Sequence, residues 1–410
     1  NPPTVTTGTD CPTDLDGRNA AIDGPLPSGL GHSLPMRIDI REYPIGGDLR
    51  AFLDVATTVY ADDPCYIRPL DFDLKDRLSK KNPFFRNAEG TIFVAFRNGK
   101  PVGRITAQID RGHLARYDDA TGFFGFIDTI DDEDVCTGLI ERAKDWLRAR
   151  GMKRIRWPLS LNINEEMGCL IDGFDTPPMI LMPHHRSYQG KLIEKAGLSK
   201  IKDVYAWKYF PGEVTPRAAK AHAEIAKLPE VKVRQMDRKN IERDVRLVMD
   251  IFNDAWSENW GFVPLSEAEL AKMAQDMKLI LDPALTRIAE IDGEPAAFVV
   301  ALPNLNEAIR DLNGQLLPFG VVKLLYRLKV QKPRTARLAL LGIRKKFRKM
   351  RQYAALSTYL YVEMNNSAKA LGVRMGELSW TLEDNGPVNV GIKMMGGKIY
   401  KTYRVYEGEI

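Results

Sequence analysis

The sequence predicts an α/β protein made of two copies of one unit, each a mixed sheet flanked by helices. Two observations carry this. Thr91 to Asp110 reads as strand, Asn98-Gly99 turn, strand, and Thr286 to Pro303 repeats the pattern around Asp292-Gly293. Asn-Gly and Asp-Gly mark tight hairpins because both central residues of that turn adopt positive φ. The two turns lie 194 residues apart, each with a Pro three residues after its Asn or Asp. The second observation is the order around them. A strand and a helical region precede each hairpin (Ile38 to Asp63; Val231 to Trp256), and a helix and two further strands follow.

Taken in order, residues 1–35 hold six Pro, five Gly and no aromatic residue. That composition cannot bury a core, and it predicts a disordered tail. Met36 opens an alternating run, Arg37 to Arg41, expected as the first strand. The first unit is expected over 36–214 and the second over 215–410, joined by the Ala- and Lys-rich helical segment Thr215 to Pro229. At 410 residues the chain exceeds what one core usually organises, about 250–300 residues. In the first unit, the strand Gly122 to Phe126 runs into a segment with carboxylates at Asp128, Asp131, Asp132, Glu133 and Asp134. In the second unit, the strand Arg337 to Ile343 is followed by a basic loop, Phe347 to Tyr353, and a helix, Ala354 to Leu371. A strand from Gly376 to Glu383 comes next.

Charge is placed rather than spread. Asn313 to Val362 contains twelve Lys or Arg and no Asp or Glu, although the whole chain is only +5. A cationic block in a folded region points to a polyanion: cofactor phosphates, lipid headgroups or nucleic acid. The 44% apolar and 28% charged fractions are those of a soluble globular protein. No run of about 18 apolar residues predicts a transmembrane helix, and no signal peptide is expected. Cys11, Cys65, Cys136 and Cys169 are scattered without metal-ligand spacing, which predicts reduced thiols and no metal site.

The order of elements resembles the GNAT acyltransferase fold from Met36 onward. In that family the fourth strand enters a loop patterned Arg/Gln-x-x-Gly-x-Gly/Ala, whose amides grip the pyrophosphate of acyl-CoA. Here Arg348 matches the first position, while Arg351 and Tyr353 replace the small residues. The resemblance implies acyl-CoA as co-substrate, with no permanently bound cofactor. It would be held by Leu341, Ile343, Arg344, Arg348, Lys349, Arg351, Gln352 and Tyr353, with guanidinium and ammonium groups supplying what glycine amides supply elsewhere. The acidic loop of the first unit would repel a pyrophosphate, so that unit is expected to scaffold the second. The polar segment Asn162 to Glu166 could shape an acceptor pocket, and His184-His185 are assigned no catalysis.

Direct acyl transfer needs a neutral amine, a polarised thioester carbonyl and a protonated leaving thiolate. By period-two alternation Glu377, Ser379, Thr381 and Glu383 share one face of their strand. Glu377 or Glu383 is the expected general base, against the alternative of a carboxylate paired with nearby cations. Ile392 stands where the family's thiolate-protonating Tyr would fall, leaving Tyr400, Tyr403 or Tyr406 as substitutes, with Tyr403 the chosen candidate. Trp256, Glu258 and Trp260, with Asn385, are the expected acceptor contacts.

One insert points to lipid. On a helix Val321, Leu324, Leu325 and Leu328 share a face, and Lys323 and Arg327 lie one turn apart on another. This is the pattern of an interfacial helix on an anionic membrane, where each basic group adds about 1 kcal/mol, or of a lid over an acyl chain. With this insert the chain resembles two-unit GNAT-like N-acyltransferases that include bacterial ceramide synthases. The resemblance implies transfer of a long acyl group from acyl-CoA, or an acyl carrier protein, to a sphingoid amine. It also implies a cytoplasmic enzyme in peripheral contact with the inner membrane, binding no nucleic acid. The alternatives are an acetyltransferase on a small amine or peptide, transfer from aminoacyl-tRNA, and a non-enzymatic basic module for membranes or RNA.

Overall fold

The computed structural model describes residues 37–410 apart from Trp157, so the expected tail over 1–35 and Met36 lie outside the described residues. The first half runs β1 (Asp39–Pro44), α1 (Arg50–Val59), α2 (Asp71–Arg77), β2 (Ala88–Arg97), β3 (Lys100–Asp110) and α3 (Arg111–Tyr117). It continues through β4 (Thr121–Thr129), α4 (Glu133–Arg148), β5 (Arg154–Arg156), β6 (Cys169–Asp172), α5 (Gln189–Lys195) and β7 (Ser199–Tyr209). After the connecting α6 (Pro216–Ala226) come β8 (Val231–Arg234), α7 (Ile241–Trp256), α8 (Glu267–Ile280), β9 (Thr286–Ile291) and β10 (Glu294–Pro303). Then follow α9 (Leu305–Ile309), α10 (Gly320–Tyr326), β11 (Thr335–Ile343), α11 (Lys345–Arg348), α12 (Leu356–Ala370), β12 (Met375–Leu382), α13 (Gly386–Met394) and β13 (Lys398–Glu409).

Both hairpins form where the Asn-Gly and Asp-Gly turns fall, with φ near +50° at Asn98 and Asp292. Strand alternation then sets the two faces. Ile92 and Val94 of β2 pack with Phe52 and Val55 of α1, whereas Phe93 and Ala95 pack with Leu139 and Ala143 of α4. In the second half Phe298 and Val300 pack with Val248 and Phe252 of α7. Ala297 and Val299 turn to Leu356 and Leu360 of α12. Each sheet half is therefore a filling between two helical layers.

The strands form one sheet in the order β1-β2-β3-β4-β5-β13-β7-β12-β11-β10-β9-β8, with β6 beside β13. Read from either edge the order is equivalent, with β13 and β7 as counterparts. The last strand of the chain pairs with β5 of the first half, and β7 of the first half pairs with β12 of the second. The repeat visible in the sequence is thus not the unit of strand pairing. This exchange fuses two sheets and leaves β1 and β8 as its outer edges, limiting unpaired strand surface.

The two halves differ where β4 meets β5 and β11 meets β12. In the first half the Leu159 amide donates to the Phe124 carbonyl at 2.8 Å, extending contact beyond β5. Gly125 is packed so tightly there that a Cβ would lie 1.8 Å from the Leu159 carbonyl oxygen. Gly125→Ala is expected to lose about 1–3 kcal/mol of stability through overpacking, read as a lower Tm by scanning calorimetry. In the second half the pairing of β11 with β12 ends at Leu338 and Leu378.

Cys136 and Cys169 are free and buried.

Candidate active site

Every residue of β4 is buried, whereas Leu338 to Leu341 of β11, also an interior strand of the sheet, are only half-buried. Parting from β12 is what opens them. Beyond β11 the chain turns through α11 into α12. The α12 N-cap is Ala355, which makes no side-chain cap, and no acidic residue lies in the first turn. The counterpart α4 is closed to anions. The Asp132 carboxylate accepts from the Val135 amide at 3.0 Å, Arg97 pairs with Asp132 at 2.8 Å, and Glu133 and Asp134 fill the first turn. An uncapped helix N-terminus leaves amide donors and a partial positive charge available to an anion.

The basic loop sorts into paired and unpaired cations. Arg344 pairs with Asp250, Lys345 with Glu258 at 2.8 Å, and Lys346 with Glu294. The Lys345 amide donates to Asp254 at 2.7 Å, and the Arg348 guanidinium donates to the Ala255 carbonyl at 3.0 Å. Lys349 and Arg351 are exposed, and among the described residues their side chains make no hydrogen bond or ion pair. Leu341, Ile343 and Tyr353 belong to the core under α12, with the Tyr353 hydroxyl 3.3 Å from Glu230, and Gln352 is exposed. The carboxylates that neutralise Arg344, Lys345 and Lys346 are distant in sequence: Asp250 lies in α7, Glu258 just beyond it and Glu294 at the start of β10.

Of the expected catalytic residues, Glu377 is fully buried. Its carboxylate accepts from the Ser379 and Tyr400 hydroxyls, and Arg337 lies 3.8 Å away. Arg337 also donates to Ser379 Oγ at 2.8 Å and to the Ile180 carbonyl at 3.0 Å. Burial holds its guanidinium below the usual arginine range despite Glu377. Glu383 is elsewhere: it pairs with Lys200 at 2.8 Å and accepts from the Asp203 amide at 3.0 Å. The expected common face fails because a bulge interrupts β12 between Leu378 and Thr381. Glu377 and Ser379 stay together, but Thr381 accepts from the Trp207 indole at 2.8 Å, within the cluster that also holds Leu378. Tyr403 is buried near Glu377, and its hydroxyl has no partner among the described residues.

The expected acceptor contacts do not converge. Trp256 packs on Phe252 and Phe298 and against Gly342, where it touches the open strand. Glu258 is exposed and held by Lys345. Trp260 lies instead by β5 and β7, with Arg156 and Lys202 about its ring. Asn385 is the N-cap of α13 without a side-chain bond, and Asn389 instead donates to the Leu382 carbonyl at 2.9 Å.

A cavity of about 420 Å³ lies between the halves. Ile180 and Leu181 form part of its wall, and Leu181 packs in the same cluster as Ala339 and Leu340 of the open strand. Its apolar side comes from α8 and α9, through Met273, Met277, Leu305 and Ile309. Its polar side belongs to the first half. Arg77 donates to Glu165 Oε2 at 2.8 and 3.1 Å and to Glu166 at 3.1 Å. Arg104 clamps Asp128 at 2.6 and 2.8 Å, and Tyr60 donates to the same carboxylate. Glu165 keeps 27% of its side-chain surface open, and enclosure pushes its carboxyl up to about 7 against the pull of Arg77. His184 is bonded to Asp63 at 2.9 Å. His185 accepts from the Leu170 amide at 3.2 Å and is pushed down to about 4 by burial.

An apolar-walled cavity beside an opened interior strand is an arrangement in which two substrates can meet, one in the cavity and one along the strand. The chain is 42% identical over 368 residues to the bacterial ceramide synthase of Caulobacter vibrioides, spanning 88% of this chain and 94% of that protein. It belongs to the bacterial ceramide synthase family. Protein YghO of Escherichia coli is a second relative, 40% identical over 373 residues, 90% of this chain and 95% of that one. No family model matches the chain.

Solved structures give the fold. A tandem GNAT protein from the clavulanic acid biosynthesis pathway superposes with a TM-score of 0.54 at 12% identity, covering 91% of this chain and 98% of that one. A GCN5-related N-acetyltransferase from Sphaerobacter thermophilus gives 0.52 at 13% identity, covering 92% and 97%. The fold is a tandem GNAT fold, and the family member is an acyltransferase. Among the described residues no helix is long and apolar enough to cross a membrane, and no group of three or more His, Cys, Asp or Glu could hold a metal ion.

Proposed function

We propose that this acyltransferase moves a long acyl group from acyl-CoA to the primary amine of a sphingoid base, sphinganine or 3-oxosphinganine, in bacterial ceramide synthesis. The observation that carries the reading is the asymmetry between the halves. The parted β11 and β12, beside an uncapped α12 and two unpaired cations, suit a thioester arm and its phosphates. The first half, with Gly125 packed on Leu159 and Asp132 capping α4, suits a scaffold and acceptor wall. The relative named bacterial ceramide synthase supports the sphingoid acceptor.

The acceptor occupies the inter-half cavity, its amine and hydroxyls toward Arg77, Glu165 and Asp128 and its chain along α8 and α9. The amine nitrogen attacks the thioester carbonyl. Glu165, poised near neutrality, takes the ammonium proton that attack leaves behind. A β11 amide freed by the parting of the strands stabilises the oxyanion. Collapse breaks the C–S bond, leaves the C–N amide and releases CoA thiolate, which takes a proton from water. Glu377, with both oxygens engaged and no exposed surface, orients Arg337 and the Ile180–Leu181 wall. The protein is read as a cytoplasmic enzyme in peripheral contact with an anionic membrane.

The purified protein, given palmitoyl-CoA and sphinganine or 3-oxosphinganine, is expected to release free CoA and form the N-acyl product, both read by mass spectrometry. Product from acetyl-CoA and simple amines alone would replace this reading with a small-amine acetyltransferase. No thiol release from any acyl-CoA would remove CoA as the donor.

A further inference from the structure

The insert between β10 and β11 departs from the expected amphipathic helix in an informative way. Lys323 and Arg327, expected as its basic face, fold back on Asp311, which stands two residues before the acid-free stretch. Leu324 turns inward to a small cluster with Ile67, Leu70, Ile309 and Leu312. What faces outward is apolar: Leu317 is 81% exposed, Phe319 78% and Val322 68%, joined by Leu325, Tyr326 and Val330. Among the described residues, Arg310, Lys329, Lys332 and Arg334 make no side-chain ion pair or hydrogen bond and are exposed. Large apolar side chains in water beside unneutralised cations fit an anionic bilayer better than a protein surface, since lipid takes the former and headgroups the latter.

The patch is also continuous with the cavity. Ile67, Leu70, Leu305 and Ile309 form cavity wall on one side and, on the other, the cluster on which Leu316 and Leu324 of the insert rest. The base of the insert is tied to the start of α2, where the Asp71 amide donates to the Gly314 carbonyl at 2.8 Å. The next residue, Phe72, is both an exposed apolar side chain and part of the cavity lining.

We propose that the segment Leu317 to Val330, with Phe72, docks on an anionic lipid bilayer and forms a portal through which a membrane-resident amine slides into the cavity. This rests on the acyl-transfer reading for its substrate but not for its membrane contact. The apolar chain never crosses bulk water, because α9 offers apolar wall from the bilayer side to the cavity.

The test uses the full chain and the variant Leu317→Asp/Phe319→Asp/Val322→Asp, whose sites are exposed and whose folding is checked by circular dichroism. Wild type is expected to co-sediment with phosphatidylcholine vesicles containing about one-third phosphatidylglycerol and the variant about fivefold less. N-acylation of a long-chain amine embedded in those vesicles falls by a similar factor, while a short-chain, water-soluble amine is acylated at an unchanged rate. The proposal is overturned if wild type ignores the vesicles, if the variant binds them equally, or if both amines slow together. A variant that only converts a dimer to a monomer in analytical ultracentrifugation would reassign the patch to a second copy of the chain. If neither amine is acylated by either protein, the acyl-transfer reading fails, and co-sedimentation alone still decides the docking.

Discussion

Lys349→Glu combined with Arg351→Glu raises the acyl-CoA KM at least about tenfold, leaving kcat within about twofold. Tenfold is about 1.4 kcal/mol, which two reversals at a solvent-exposed phosphate site can supply, since each removes an attraction and adds a repulsion. The choice of residues comes from the structure. Arg344, Lys345 and Lys346 are already neutralised by Asp250, Glu258 and Glu294, so reversing them breaks internal pairs rather than donor contacts. Lys346→Glu is the control, with a KM change under about threefold. The wild-type KM should also climb with ionic strength, because exposed charges are screened over about 10 Å at 0.1 M salt. An unchanged KM in the double variant would remove the loop from the donor site.

Much of the architecture was legible because it rests on local rules. The two Asn/Asp-Gly turns are local signals, and the order of strand and helical segments around them recurs, so the repeated unit could be read directly. Strand exchange could not. The β13 sequence alternates equally well beside β5 or β12, and which neighbour it takes depends on where β7 goes. The same limit governed the site. Glu377 and Glu383 look equivalent by period two, and a single bulge in β12 separates them. The cations around the basic loop look like free charge until Asp250 of α7 and Glu258 just beyond it, about ninety residues earlier, supply counter-ions to Arg344 and Lys345. The Asn162 to Glu166 segment stood out as dense in polar residues. Its partner Arg77 lies 88 residues from Glu165, and only folding brings the two within 2.8 Å.

Glu165→Gln lowers kcat for amine acylation at least about a hundredfold, the usual worth of a positioned general base, with a small change in amine KM. The substitution keeps the shape and leaves Gln an oxygen to accept from Arg77. Arg77 retains Glu166 at 3.1 Å as a charged partner, so its burial stays compensated. Only the capacity to take a proton is lost. The pH profile separates this from a structural defect. Enclosure holds the Glu165 carboxyl near about 7, and a base acts only when ionised, so the wild-type rate should climb between about pH 6 and 8. In the variant that limb disappears, and only the rise due to ionisation of the amine itself remains at higher pH. The same raised pKa favours the folded state while Glu165 is neutral. Its contribution is full below the ordinary carboxylate range and fades as pH rises through about 7, so Glu165→Gln should flatten the fall in Tm over that interval. Glu377→Gln is the companion experiment. Were Glu377 the base, its variant would lose the hundredfold in kcat and Glu165→Gln would not. The buried position of Glu377, bonded at both oxygens, argues for the opposite outcome.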